Sequence, residues 1–326
     1  MTLGTRETDT TATSDVASVV AVADRVHRAA ETIVEGKSET VTITLATLLA
    51  GGHLLIEDIP GVGKTMLAKT LGRAVDCTVR RIQFTPDLLP SDITGVTVFH
   101  QRTQEFEFKS GPVFANIVIG DEINRAAPKT QAALLECMEE GQVSVDGQTW
   151  PLDHPFMVVA TQNPIDMEGT YPLPEAQRDR FMARISVGYP DPQAELDMIE
   201  THSAATPLTE LAAVVTLAEL RQTMASVHRV HVSPGIRRYA VDLVSATRTS
   251  SALRLGASPR ATLHLVRIAR AYAALDGRDY VVPDDLQALS GPVLAHRLIS
   301  SPEAQLERRA PEQVVADLVA RLPVPS

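Results

Sequence analysis

The 326-residue chain contains only two cysteines and one tryptophan, and aromatic residues make up 4% of it. A disulfide scaffold is therefore excluded. Cys77 and Cys137 stand in no metal-ligand or redox spacing and read as buried or partly buried thiols of a reducing compartment. So few aromatics leave no stacking platform for single-stranded nucleic acid. No apolar run approaches the ~20 residues that a membrane-spanning helix requires. Runs of lysine or arginine are missing too, and a net charge of −10 with pI near 5.4 offers no general attraction to DNA or acidic membranes. The opening "MTLGTRETDTTATSD" lacks an apolar segment of signal-peptide type, and residues 1–14 read as a disordered leader. Together these absences predict a cytoplasmic protein with no integral membrane segment and no nucleic-acid partner.

What is present suits a sizeable core: 44% of residues are hydrophobic and 21% charged. Helical spacing of valine and alanine predicts a helix over 16–34 with Asp15 as N-cap, and a second over 39–50 closed by Gly51 and Gly52. From His53 the pattern alternates. Strands are expected at 53–57, 79–84, 115–119, 157–160 and 185–187, and helices at 65–75 and 129–140. Strands alternating with helices predict a parallel sheet covered on both faces. Two hairpins interrupt it, "TGVTVFH" with "EFEFK", and "QVSVDGQTWPL" turning at Asp146-Gly147. After Asp191 the chain reads as helix after helix: 194–202, 217–226, 234–247, 259–275, 283–298 and 311–322, with no strong strand. The expected division is an α/β core over 15–192 and an all-α domain over 193–326, with the boundary near 190–205.

The chemistry centres on "EDIPGVGKT". Gly61, Val62, Gly63, Lys64, Thr65 and Met66 lie between a strand and a helix, the context in which backbone N–H groups and a helix N-terminus cradle phosphate. Lys64 would reach the β- and γ-phosphates and Thr65 would bind Mg²⁺. Position 58, where the usual pattern has its first glycine, is Asp58. "NIVIGDE" ends a strand in Asp121, placed to hold the metal, and Glu122, placed to polarise a water. "ATQNP" offers Asn163 to orient that water or the γ-phosphate; a turn-forming role before Pro164 is the alternative. "LPEAQRDRF" offers Arg178 and Arg180 on a helix, to neutralise transition-state charge or to form surface ion pairs with Asp179 or Glu175. Arg260 falls in the first turn of a helix, unfavourable for the helix dipole unless an anion partners it. Arg254, Arg267 and Arg270 read as solvated.

From about residue 20 to 310 the chain resembles the MoxR family of AAA+ ATPases, in the helix-2-insert clade. The resemblance rests on "GGHLLIEDIPGVGKTMLAK", "FTPDLLPSDITG", "FEFKSGPVFANIVIGDEINRAAPKTQAALLECMEEGQVSV", "VVATQNPIDMEGTYPLPEAQRDRF", "GASPRA" and "GRDYVVPDDL". It implies a P-loop core with a parallel sheet, hairpin inserts and a C-terminal helical lid, the nucleotide lying between core and lid. It further implies Walker A at Gly61 to Thr65, Walker B at Asp121 and Glu122, sensor 1 at Asn163, an arginine finger at Arg180 in preference to Arg178, and sensor 2 at Arg260. The adenine would pack near Val34 to Lys37, where "IVEGK" matches loosely; Asn124 and Arg125 fit a further motif of open role. The implied activity is Mg²⁺-dependent ATP hydrolysis by a hexameric ring that assembles or activates partner complexes, among them proteins with von Willebrand factor A domains. A "EDxPGxGKT" loop is a familiar form in this family, so Asp58 is expected to point away from the phosphates. A DNA-associated motor and a non-catalytic, nucleotide-dependent adaptor are the alternatives; the acidic balance opposes the first and the complete acid set the second.

Overall fold

A computed structural model describes residues 8–34, 36–59, 61–163, 170–189, 208 and 211–325, with side chains from Val16 onward. The helix expected at 194–202 and the boundary near 190–205 lie outside the described residues, as do Glu35, Pro60 and Pro164.

The first helices are α1 (Thr8–Glu31) and α2 (Ser38–Leu49). α1 starts at Thr8, so the second half of the expected leader is helical backbone rather than disordered. Next come β1 (Leu54–Glu57), α3 (Lys64–Ala74), β2 (Val79–Gln83), the short α4 (Pro90–Thr94), β3 (Gly95–His100), β4 (Glu105–Ser110) and β5 (Ile117–Asp121). The core closes with α5 (Pro128–Glu140), β6 (Gln142–Val145), β7 (Gln148–Pro151), β8 (Met157–Gln162), α6 (Glu175–Arg178) and β9 (Ala183–Ile185). The lid contains α7 (Leu217–Arg229), α8 (Pro234–Thr249), β10 (Leu253–Leu255), α9 (Pro259–Leu275), α10 (Pro283–Leu294), β11 (Ile299–Ser300), α11 (Pro302–Leu306) and α12 (Pro311–Arg321).

Five parallel strands form one sheet in the order β2-β5-β8-β1-β9. Its central strands are apolar up to their last one or two residues because both faces are covered. Leu54, Ile56, Ile117, Ile119, Met157 and Val159 pack under α1, α2 and α3, while Leu55, Val118, Val158 and Ala160 alternate onto the α5 face. The final strand pairs with Leu54–Ile56 two residues earlier than the periodicity predicts, at Ala183–Ile185 instead of 185–187. The hairpins β3–β4 and β6–β7 stand apart from the sheet, joined by the stacked rings of Phe108 and Trp150 at 4.7 Å.

Proline starts α8, α9, α10 and α12, where its missing N–H costs nothing. In the "GRDYVVPDDL" segment, buried Asp285 accepts Val282 N at 2.9 Å and a two-pronged Arg278 at 2.8 and 2.6 Å, fixing the turn into α10. The lid also carries a two-stranded pair, β10 with β11, too short to register as strands in the sequence.

Candidate active site

All five parallel strands end on the same edge of the sheet, and two of the sequence motifs meet there. Gly61 and Gly63 both adopt φ +85°, a conformation that suits glycine, and a Cβ added at either would meet nothing within 4 Å. The loop is therefore open above the N-terminus of α3, with Gly63 as its N-cap and Lys64 as its first residue. Lys64 Nζ donates to Asp58 O at 2.5 Å and lies 3.4 Å from Gln162 O. Partial burial draws its pKa down, against the attraction of Asp58, Asp121 and Glu122.

Asp58 answers the question of the missing glycine. Its carboxylate is buried and turned away from the loop mouth. Oδ2 accepts Gly188 N at 2.6 Å, Val187 N at 2.7 Å and Ser186 Oγ at 2.8 Å, and Oδ1 accepts Ile59 N at 2.8 Å. Burial would raise its pKa, but these donors, Gly188 first, outweigh burial and hold it below the usual carboxylate value. Asp58 thus ties the exit of β1 to the exit of β9, while its own carbonyl positions Lys64.

Asp121, the last residue of β5, is 4% exposed. Thr65 Oγ1 donates to it at 3.0 and 3.1 Å, Thr161 Oγ1 at 3.2 Å and Arg81 Nε at 2.5 Å. Glu122 follows in the left-handed region, φ 57°, and its N–H is held by Thr161 Oγ1 at 3.0 Å. That turn aims its carboxylate toward Gln83, whose Nε2 donates at 2.7 Å, and Arg125, whose Nε lies 3.3 Å away. Asn163 is buried immediately after β8, the strand between β5 and β1, and its carbonyl accepts Asn124 Nδ2 at 3.4 Å. Lys64, Thr65, Asp121, Glu122 and Asn163 therefore share one edge.

The donor set fits Mg²⁺ with a nucleotide. Thr65 and Asp121 supply hard oxygens side by side, and the open loop supplies N–H groups. Among the described residues no group of three or more His, Cys, Asp or Glu could hold a metal by itself. That suits an ion completed by phosphate oxygens and water.

The arginines sit elsewhere. α6 ends at Arg178, and Arg180 lies just beyond it, two residues before Met182, whose N–H bonds His53 O at the start of β1. Arg180 Nη2 pairs with Glu139 Oε2 at 2.7 Å, and Arg260 Nη2 pairs with Glu139 Oε1. Glu139 belongs to the last turn of α5, placed at the same edge by the bond between its neighbour's carbonyl, Met138 O, and His53 Nε2 at 3.0 Å. Arg260 also faces Asp179 at 3.9 Å, so the anions its position in the first turn of α9 demands are present. Arg180 and Arg260 are thus brought together, but at the starting edge of the sheet. β1 alone puts four residues, roughly 13 Å, between that edge and the phosphate loop.

Several of the partners at this edge leave no mark in the sequence. Buried Arg297 joins the lid to this edge, donating to Asp179 Oδ1 at 2.8 Å, Phe181 O at 2.6 Å and His264 Nδ1 at 2.6 Å. Burial brings its pKa down to about 10 although Asp179 opposes this. Arg267, expected to be solvated, instead caps the end of α2 through Ala50 O at 2.7 Å and Gly51 O at 3.2 Å. Arg81 and Gln83 carried one faint signal, two polar side chains at i and i+2 on the strand beside the acids.

A parallel sheet with a phosphate loop and paired acids on one edge, and a helical lid packed against it, define a P-loop ATPase module of the AAA type. Comparison agrees. The family model "ATPase family associated with various cellular activities (AAA)" matches residues 53–183, and "AAA lid domain" matches 245–318. Chaperone MoxR1 of Mycobacterium tuberculosis is 42% identical over 305 residues, covering 90% of this chain and 80% of its own. Protein MoxR of Paracoccus denitrificans is 33% identical, covering 90% and 94%. The uncharacterized protein YeaC of Bacillus subtilis is 46% identical, covering 90% and 92%. The crystal structure of a putative ATPase from Cytophaga hutchinsonii superposes with TM-score 0.90 at 36% identity, covering 97% of this chain and 99% of that one. The chain belongs to the MoxR family of AAA+ ATPases.

Proposed function

We propose that the chain hydrolyses ATP with Mg²⁺ in a ring of identical subunits, a hexamer by family resemblance, and that hydrolysis drives remodelling or activation of a partner protein complex. The observation that carries this reading is the division of the site between two edges. Lys64, Thr65, Asp121, Glu122 and Asn163 share the strand-end edge, while Arg180 and Arg260 share Glu139 at the other. Neither arginine reaches its own chain's phosphate loop, so a neighbouring subunit supplies them.

The chain's residues divide the work. Gly61 to Met66 cradle the phosphates, and Lys64 sets its ammonium against the β- and γ-phosphates. Thr65 and Asp121 would hold Mg²⁺, which would supply neutralisation of phosphate charge when bound. Glu122 takes the proton of the attacking water, while Gln83 orients its carboxylate through Oε2. Asn163 orients that water. Arg180, with Arg260 beside it, meets the charge that builds on the transferred phosphoryl group, a contribution of ~10³–10⁵ in rate for such fingers. A cleft of about 450 Å³ between Glu39, Thr40 and Glu57 of the core and Gly291, Pro292 and Glu312 of the lid lies at the exits of β1 and β9 and suits the nucleoside. The stacked Phe108–Trp150 pair couples the two hairpins, which reach the client as one body.

The client reading draws on MoxR1's description as a chaperone; a complex containing a von Willebrand factor A domain is the partner that family resemblance favours. Among the described residues no helix is long and apolar enough to cross a membrane. The direct test is Glu122→Gln: ATP binding persists and phosphate release stops. Unchanged release would remove Glu122 from the mechanism. Pull-down with that variant should retain the client on the ATP state.

A further inference from the structure

The metal-binding carboxylate of Asp121 is already held by a cation of this chain. β2 is the outermost strand of the sheet, and Gln83 on it lies level with Asp121. Arg81 is two residues earlier, on the same face. Its Nε donates to Asp121 Oδ2 at 2.5 Å, and its Nη2 donates to Gln83 Oε1 at 2.6 Å. The other oxygen, Oδ1, accepts Thr65 and Thr161, so both carboxylate oxygens are engaged.

A divalent cation held by Thr65 and Asp121 needs the lone pairs that the guanidinium now uses, and it brings two positive charges beside a third. Arginine cannot relieve this by losing a proton. It can relieve it by moving: the Arg81 side chain is 50% exposed, against 5% for Asp121, and it stands on an edge strand with solvent beyond.

We propose that Arg81 is a displaceable counter-cation of Asp121, which holds the carboxylate while the site is metal-free and swings toward solvent when a divalent cation binds with nucleotide. The proposal rests on the Mg²⁺–nucleotide reading above. Arg81 then acts as a positioning residue that sets the metal concentration at which the site fills. A purely structural Arg81, fastening β2 to β5, would lower the melting temperature on removal and leave the metal midpoint where it was.

The test is a Mn²⁺ titration of the full chain with saturating ADP, with free Mn²⁺ read by electron paramagnetic resonance, so that no turnover is involved. Arg81→Met should lower the Mn²⁺ midpoint about tenfold, the scale of one charge-assisted hydrogen bond at a half-exposed site. Arg81→Lys should stay within about threefold of the unsubstituted chain, because it keeps the charge. Metal-free binding of a fluorescent ADP analogue should be unchanged in both. If Arg81→Met does not fold, Arg81→Gln takes its place. An unchanged or raised midpoint in the neutral variant, with the unsubstituted chain binding Mn²⁺, overturns this proposal alone. Failure of the unsubstituted chain to bind Mn²⁺ with ADP overturns the metal reading and this proposal with it.

Discussion

The two edges of the central sheet differ in what holds them. At the strand ends, buried acids face donors of the same core: Asp58 takes three backbone N–H groups and a hydroxyl, and Asp121 takes two threonines and Arg81. At the strand starts, core and lid are interlocked by arginine: Arg297 on Asp179, Arg260 on Glu139 and Arg267 on the end of α2. On the proposed reading, one edge is a phosphate receptor that lacks only its arginines. The other is a store of arginines with no phosphate to meet. Each chain carries both halves of the proposed site on opposite sides, so a ring of like subunits completes every site and a monomer completes none.

Breaking the arginine edge should have the largest effect. Arg180→Ala is expected to lower ATP turnover by ~10³-fold or more while leaving nucleotide affinity within a few-fold, measured by phosphate release and by fluorescent-nucleotide binding. Breaking the phosphate edge from beneath comes next. Asp58→Ala strands three backbone N–H groups, one buried and two part-buried, and should cost about 2–4 kcal/mol of stability, seen in urea unfolding, with weaker nucleotide binding as Lys64 loses its frame. Asp58→Asn keeps an acceptor and should cost less.

Mild acid should separate the edges without mutation. Burial lowers the pKa of His53 to about 4 and holds that of His296 well below 6.5. Both lie at the strand starts, His53 on Met138 O and Val158 N, His296 on Phe181 O. Their folded pKa values are depressed, so the unfolded chain takes up protons first. The stability that His53 contributes is full above about pH 6.5 and is lost as pH falls from there toward about 4, a loss of about 1.4 kcal/mol at pH 5.5. His296 acts in the same direction. Asp58 has its folded pKa depressed as a carboxylate, so its contribution persists until pH falls below about 3.8. Thermal melts between pH 7 and 5.5 should therefore show a loss larger than the share of His53 alone, about 1 kcal/mol, because burial lowers the pKa of His264 beside Arg297 as well. Gln substitution of His53 should reduce that pH dependence by about 1 kcal/mol, even where it lowers stability at pH 7. The smallest effect is expected for Arg267→Ala, about 1 kcal/mol for a lost helix C-cap, read from the melting midpoint.

The phosphate edge was legible in the sequence because its chemistry is local. Gly61 to Thr65, Asp121 with Glu122, and Asn163 each follow a strand, and strands that run parallel must end together. What the acids touch depends on register, which sequence does not carry: Arg81 and Gln83 read only as polar residues of a strand until β2 is laid beside β5. Ala183, Ile185 and Val187 in "MARISVG" share one alternation, which leaves open where along it pairing falls; only pairing with Leu54–Ile56 selects Ala183–Ile185. Arg267 read as a solvated base because its partners, Ala50 and Gly51, lie more than two hundred residues away in the chain. The position of Asp58 was legible as a departure from the usual loop; its four donors were not, since three come from residues 186–188.

The measurement that bears most directly on the divided site is complementation between two inactive variants. Lys64→Ala removes the phosphate edge and Arg180→Ala the arginine edge, and each alone should release almost no phosphate. Mixed in equal amounts and allowed to exchange subunits, they should regain a substantial fraction of the original rate, because an intact Arg180 then meets an intact Lys64 across some of the boundaries. A mixture as inactive as its components, with mixed rings shown to form, would contradict a site shared between chains.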